Sequence, residues 1–165
     1  MSLSEGLIEI KKLDKIDIKD ALELIWQVFQ EFEAPEYSQE GGENFHKYLD
    51  YNSIIKKLDN GELPFWGCFI SEKLIGVIAT RDKSHISMLF VLKEYHRQGI
   101  AKRLFQAVIN DCSAIEGVNK ITVNSSPYAV EVYHHFGFID TNSEQTVDGI
   151  RFTPMEYKVN KDNAN

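Results

Sequence analysis

The stretch "HRQGIAK", residues 96–102, carries residue types suited to holding a phosphate. A helix N-terminus presents unpaired N–H groups and about half a positive charge, so it attracts anions. Gly99 lets the backbone approach a ligand with no Cβ in the way, and Arg97 and Lys102 add fixed positive charge. Before the turn, "HISMLFVL" is mostly apolar and rich in β formers. After it, Ile100, Ala101, Leu104, Phe105, Val108, Ile109 and Cys112 recur at helical spacing. A strand therefore hands over to a helix here, either through an ordinary turn or through an anion cradle.

A second stretch, "SPYAVEVYHHFGF", reads as a short helix with both ends marked. Ser126 suits the N-cap, Pro127 the first helical position and Gly137 the left-handed residue past the end. Tyr133 falls inside that helix. A third stretch, "EFEAPEYSQEGGE", holds Glu31, Glu33, Glu36, Glu40 and Glu43 with no Lys or Arg. It reads either as a lid that attracts an ammonium group or as a solvated surface. Tyr37 and Trp66 are candidate aromatic walls for a cation, with core packing the alternative for Trp66.

The elements that must position these residues follow from periodicity. "LIEIKKL" predicts a first strand at 7–13. Ile18, Leu22, Ile25, Trp26, Phe29 and Phe32 share one helical face, with Asp17 as the N-cap. A second helical region runs through "FHKYLDYNSIIKKL", residues 45–58. "FWGCFIS", "KLIGVIATRD" and "HISMLFVL" predict three antiparallel strands joined by hairpin turns. "KITVNS" is a strand behind the long helix, and "GFIDT" and "IRFTPMEYKV" are the last two. The predicted order is β-α-α-β-β-β-α-β-α-β-β. The fold class is α/β, with a single mixed, mostly antiparallel sheet flanked by helices. One domain spans 1–158, and 159–165 form a polar tail.

Composition narrows the function. The 43% hydrophobic and 26% charged fractions over 165 residues are those of a globular protein with a real core. No apolar run reaches the roughly 20 residues of a membrane span, and "MSLSEGLIEI" lacks a signal-peptide pattern. A cytoplasmic location and no membrane partner are expected. The net charge of −7 argues against nucleic acid. It is compatible with a cationic substrate, or serves solubility alone. The two cysteines, Cys68 and Cys112, form neither a metal-ligand spacing nor a disulfide framework, so no metal is expected.

Two of these stretches together carry a family resemblance. "HRQGIA" resembles the phosphate loop of the GNAT acetyl-CoA-dependent N-acetyltransferases: Gln or Arg, two residues, Gly, one residue, then Gly or Ala. His96 departs from that pattern at its first position. Downstream, Ala129, Tyr133, Gly137 and Phe138 match the family's A-x-x-x-Y-x-x-x-G-F signature after a strand ending in Asn or Ser. The order and separation of the two signatures are also similar, and the element order matches over nearly the whole chain.

The resemblance implies an acetyl group moving from acetyl-CoA to a primary amine by direct attack in a ternary complex. The alternative is a non-catalytic acyl-CoA-binding regulatory module. The pyrophosphate is expected on the N–H groups of Arg97, Gln98, Gly99, Ile100, Ala101 and Lys102, with the His96 N–H also able to serve. The pantetheine arm is expected beside Leu89, Phe90 and Val91, where two strands splay, with Asn124 placed to bond it or to cap its own strand. Tyr133 matches the residue that protonates the leaving sulfur, with helix packing as its alternative role. A tyrosine hydroxyl with an ordinary pKa near 10 is protonated at neutral pH. Phe138 is expected to brace it. A backbone N–H near Phe90 or Val91 would stabilise the carbonyl oxygen. On the strand before the turn, His85 and Ser87 alternate with apolar residues, and His85 is the candidate base. Glu33, Glu36 and Tyr37 are the candidate acceptor contacts. The amine is a small molecule or peptide, and the protein a monomer or homodimer.

Overall fold

In the computed structural model, residues 7–160 are described. Strand β1 (Ile8–Lys12) leads into helix α1 (Lys15–Phe32). The helix starts at Asp14 rather than Asp17. Asp17 instead reaches back and accepts the Asp14 N–H at 3.0 Å, one half of a capping box. Ile18, Ala21, Leu24, Ile25, Val28 and Phe29 form the buried face of α1.

A 3-10 turn at Ala34–Glu36 follows, then α2 (Gln39–Tyr48) and α3 (Tyr51–Asp59). The single helical region predicted at 45–58 is thus parts of two helices. Asp50 breaks it by accepting the Ser53 N–H at 3.0 Å and so starts a new helix. The first of the two begins earlier than predicted, because Ser38 caps it through the Gly41 N–H at 3.0 Å.

Strands β2 (Phe65–Ile70), β3 (Lys73–Arg81) and β4 (His85–Val91) are antiparallel neighbours, as the short turns between them predict. Ile75 through Thr80 of β3 are all buried, as a strand covered on both faces requires. Helix α1 packs over β3 and β4, and α4 (Ile100–Ser113) packs over β2, β3 and β4. Then come β5 (Lys120–Ser125), a 3-10 turn at Pro127–Ala129, α5 (Val130–Phe136) and β6 (Ile139–Asp140).

A hairpin beyond the predicted ones closes the described fold. Strand β7 (Gln145–Val147) pairs with the start of β8 (Ile150–Lys158) through a turn at Asp148 and Gly149, with φ of 53° and 78°. Asp-Gly is the dipeptide such a two-residue turn favours. The main sheet runs β1-β2-β3-β4-β5-β8-β6, with β7 paired to β8, so the mixed, mostly antiparallel α/β class holds. The body extends past residue 158. Val159 is buried and its N–H donates to the Asn119 carbonyl at 2.9 Å. The rest of the predicted tail, 161–165, lies outside the described residues. No helix among the described residues is long and apolar enough to cross a membrane.

Candidate active site

Strands β4 and β5 are parallel neighbours that stay paired for only two residues. His85 opposes Thr122 and Ile86 opposes Val123. Beyond that point β4 keeps only β3, while Asn124 and Ser125 keep only β8. The two strands therefore part, and a gap opens between residues 87–91 and the end of β5. A β-bulge sits where the parting starts. Ala79 opposes Met88 while Thr80 opposes Ile86, which leaves Ser87 as the extra residue. Bulges bend a strand and re-aim its side chains. The predicted alternation survives the bulge, with His85, Ser87 and Leu89 partly exposed and Ile86, Met88 and Phe90 buried. Leu89 is partly exposed, Phe90 and Val91 are buried, and Asn124 is exposed at the start of the parted stretch of β5.

The Gly99 turn lies past the open end of β4. Arg97 has φ 62° and Gly99 φ 79°, both left-handed. Such a conformation costs a non-glycine residue about 1 kcal/mol or more, so the strain at Arg97 has to be held in place by its surroundings. Gly99 is the N-cap of α4, and no side chain caps that helix. The first helical bond runs from the Arg103 N–H to the Gly99 carbonyl at 3.1 Å. The N–H groups of Ile100, Ala101 and Lys102 have no earlier carbonyl in the helix. A Cβ built on Gly99 would meet nothing within 4 Å, so the space above the turn is open.

Two side chains of the motif face inward. The Gln98 amide donates to the Glu94 carbonyl at 3.1 Å, and its Oε1 is buried without a partner. The His96 N–H donates to the Lys93 carbonyl at 3.1 Å, and its ring Nε2 donates to the Val91 carbonyl at 2.7 Å. The expectation that the His96 N–H serves the phosphate is corrected here, since that donor is already engaged. The ring also lies 5.0 Å from Phe32 of α1. The histidine ties the end of β4 to the turn.

On the other side of the gap, α5 presents Tyr133, buried to 4% exposure. The helix ends in a Schellman pair: the Phe138 N–H donates to the Tyr133 carbonyl and the Gly137 N–H to the His134 carbonyl, both at 3.0 Å. Gly137, at φ 104°, makes that ending possible. The ending sets Phe138 edge-on to Tyr133, ring centroids 5.2 Å apart, as predicted. Burial first, and then the charge of Glu33, push the Tyr133 hydroxyl pKa far up.

Glu33 is the group the sequence undersold. It caps the C-terminal end of α1 and keeps partial solvent contact, yet protein surrounds it on most sides. That desolvation raises its carboxyl pKa to about 7, with the Ser126 hydroxyl lowering it in part. The two side chains face each other without closing a hydrogen bond, for the Ser126 Oγ is buried and unpartnered. Ser126 stands at the N-cap as predicted, with Pro127 after it, but of the 3-10 turn that precedes α5, and its hydroxyl makes no cap bond. Burial and then Glu33 also raise the Tyr37 hydroxyl pKa. Glu33, Tyr37, Ser126 and Tyr133 therefore form one cluster beside the gap. Tyr128, half-exposed, joins it through Phe32, ring centroids 5.1 Å apart.

Residues 33–159 match the family model of the acetyltransferase (GNAT) domain. The chain belongs to the GNAT acetyltransferase family. Solved structures of similar fold agree. A GCN5-related N-acetyltransferase from Rhodopseudomonas palustris shares 19% identity over 96% of this chain and 98% of its own, with a TM-score of 0.79. The PaiA N-acetyltransferase of Thermoplasma acidophilum, solved with coenzyme A, shares 22% over 92% and 98%, TM-score 0.73. A variant of the Vibrio cholerae spermidine N-acetyltransferase SpeG shares 13% over 93% and 95%, TM-score 0.65. No curated protein sequence matches the chain.

In this GNAT acetyltransferase the acidic segment is not free of compensating bases once folded. Lys93 lies 3.1 Å from Glu31, and Arg151 lies 3.0 Å from Glu36. Both bases come from elsewhere in the chain, which the local reading could not see. Trp66 belongs to the core and is no wall of the site. His85 sits at the paired end of β4, with Nδ1 hydrogen-bonded to Thr122 Oγ1 at 2.8 Å. Burial and the nearby Arg81 push its pKa down to about 4. A surface cleft of about 600 Å³, lined by Tyr48, Lys57, Arg81 and Asp111, contains none of the Glu33 cluster. Its walls carry charges of both signs.

Proposed function

We propose that this GNAT acetyltransferase is an N-acetyltransferase that moves an acetyl group from acetyl-CoA to a primary amine by direct attack in a ternary complex. The observation that carries the reading is the gap where β4 and β5 part beside the uncapped, open Gly99 turn, with the buried Tyr133 within reach of the charge of Glu33. The two groups have pKa values pushed to different heights, which is the pattern that assigns a base and an acid.

The residues present fit acetyl-CoA. The uncapped first turn of α4, the open space above Gly99 and the charges of Arg97 and Lys102 suit its phosphates. Leu89, Phe90 and Val91 on one side and Asn124 on the other border the space for the pantetheine arm. Acetyl-CoA supplies the acetyl thioester and, after transfer, leaves as a thiol.

Glu33, with a carboxyl pKa of about 7, takes a proton from the amine near neutral pH. As the C–N bond forms and the C–S bond breaks, Tyr133 gives its hydroxyl proton to the sulfur. Its raised pKa keeps that proton in place until then. Ser126 Oγ, having no partner of its own, accepts the remaining amine N–H and aims the lone pair. A backbone N–H at Phe90 or Val91 steadies the charge on the carbonyl oxygen. His85 is a poor base here, since a group with a pKa near 4 has little hold on a proton at pH 7. A non-catalytic acyl-CoA-binding module would need the Gly99 turn and neither Glu33 nor Tyr133. The test is free-thiol release from acetyl-CoA with a panel of primary amines. Release that requires an amine supports transfer, and tight acetyl-CoA binding with no release under any amine refutes it.

A further inference from the structure

The walls around Glu33 say which amine fits, provided that amine transfer is the reaction. Three observations bear on it. First, the site holds little fixed negative charge. Glu33 is itself near half-protonated at pH 7, and Glu31 and Glu36 are balanced by Lys93 and Arg151. Glu40 and Glu43 stand exposed on α2, where Glu43 accepts a bond from Gln39 at 3.2 Å. Second, the nearest neighbours are apolar or aromatic. Phe32 meets Tyr128 at 5.1 Å, and Tyr37 packs edge-on to Phe29 at 5.1 Å.

Third, the segment that carries Glu33 is fastened to the far side of the sheet. It crosses from α1 past Ser126 to the β7–β8 hairpin. There the Gly149 carbonyl accepts from the Ser38 N–H at 3.2 Å and from Ser38 Oγ at 3.3 Å. Arg151 bridges Glu36 at 3.0 Å and Glu144 at 3.2 Å. The two backbones touch closely. A Cβ on Gly41 would stand 2.5 Å from the Gly149 oxygen, and one on Gly149 would collide with Ser38 Oγ. The exposed ion pairs add little strength by themselves. The close glycine contact and the paired bonds to one carbonyl make the clasp.

We propose that the acceptor is a small primary amine with a single ammonium group and an apolar or aromatic body, and that the Ser38–Gly149 and Glu36–Arg151 clasp excludes polypeptide amines. Of the carboxylates beside Glu33 in the chain, Glu31 and Glu36 are already held by Lys93 and Arg151, which leaves a polyamine's second charge only the exposed Glu40 and Glu43 of α2. A peptide has no open groove to lie in, because the clasp joins the two walls between which it would pass. The body of a small amine packs on Phe32, Tyr37 and Tyr128 while its nitrogen meets Glu33 and Ser126.

The test compares 2-phenylethylamine, spermidine and a short peptide with a free N-terminus and one lysine, with thiol release read at saturating acetyl-CoA. The expected kcat/KM for 2-phenylethylamine exceeds each of the others by about tenfold or more, the scale of one mismatched contact. Arg151→Gln and, separately, Gly41→Ala loosen the clasp. Gly41→Ala raises the peptide-to-phenylethylamine ratio by about tenfold, and Arg151→Gln, which removes only exposed pairs, raises it by less. Spermidine or peptide preferred by the wild type, or a ratio unmoved in both variants, overturns the proposal. Calorimetric titration of 2-phenylethylamine and spermidine into the coenzyme A-bound protein separates it from the reading beneath. Selective binding without turnover upholds the acceptor class and removes the transfer reaction. Turnover of all three acceptors at similar rates upholds transfer and removes the acceptor class.

Discussion

The ionised carboxylate of Glu33 adds to the burial that holds the proton on Tyr133. One residue ends α1 and the other lies within α5. The charge of one reaches the other although they lie 100 residues apart in the chain. In the proposed function these two groups serve as base and acid at a gap that acetyl-CoA would enter from the Gly99 turn. The predictions below test the parts of that arrangement separately.

Glu33 makes the protein less stable than it need be. Its carboxyl pKa rises from the ordinary 4.5 to about 7 on folding. The folded chain therefore holds this proton more tightly than the unfolded chain does. No penalty exists below pH 4.5, and stability falls as pH rises from there through about 7. Glu33→Gln lacks that titration. It is expected to gain up to about 3 kcal/mol over the wild type at pH 8 and nothing at pH 4, as read by urea denaturation. Equal stability at both pH values would mean that the carboxylate is well solvated.

Tyr133→Phe removes the hydroxyl and keeps the ring against Phe138. Acetyl-CoA affinity is expected to hold, while kcat falls by roughly 100- to 10,000-fold. Single-turnover kinetics check this, because they isolate chemistry from product release. An unchanged chemical rate would confine Tyr133 to packing.

The Gly99 turn is tested by two substitutions. Gly99→Ala meets nothing within 4 Å but carries the left-handed strain. It is expected to lose about 1 kcal/mol of stability and to keep acetyl-CoA binding. Gly99→Glu adds a negative charge where phosphates approach and is expected to abolish binding by calorimetry. A folded Gly99→Glu variant with wild-type affinity would place the phosphates elsewhere.

His85→Ala removes the bond to Thr122 at the closed end of the gap. Stability is expected to fall by about 1 kcal/mol. The rate is expected to change far less than the roughly 100-fold that losing a general base brings. A loss on that scale, together with a wild-type limb near pH 4 that vanishes in the variant, would return the base role to His85.

Much of this was written locally in the chain. The Gly99 turn and the Tyr133–Gly137–Phe138 ending depend on neighbours within a few residues, so their residue types announce them. The three-strand meander was equally plain, since its turns are short. What escaped the sequence depends on distant contacts or small irregularities. Glu33 looked like one of five acidic surface residues, and only the fold sets it against Ser126 and Tyr133. Arg151 and Lys93, far along the chain, balance charges that the local stretch leaves bare. Ser126 takes the N-cap position its residue type suggests, but the segment it opens is a 3-10 turn and its hydroxyl makes no cap bond. The bulge at Ser87 shifts the pairing register of β4 without disturbing the alternation that the residue types suggest. Asp14 displaced Asp17 as the cap because a carboxylate can serve from either end of a capping box.

The most direct measurement is the pH dependence of kcat for amine-dependent thiol release, in the wild type and in Glu33→Gln. The account predicts a wild-type rate that rises through a single ionisation near pH 7 and stays high on the alkaline side, because Tyr133 keeps its proton. In Glu33→Gln the same limb should vanish and the plateau fall by roughly 100-fold or more. A limb near pH 7 that survives in Glu33→Gln at wild-type height would contradict the account.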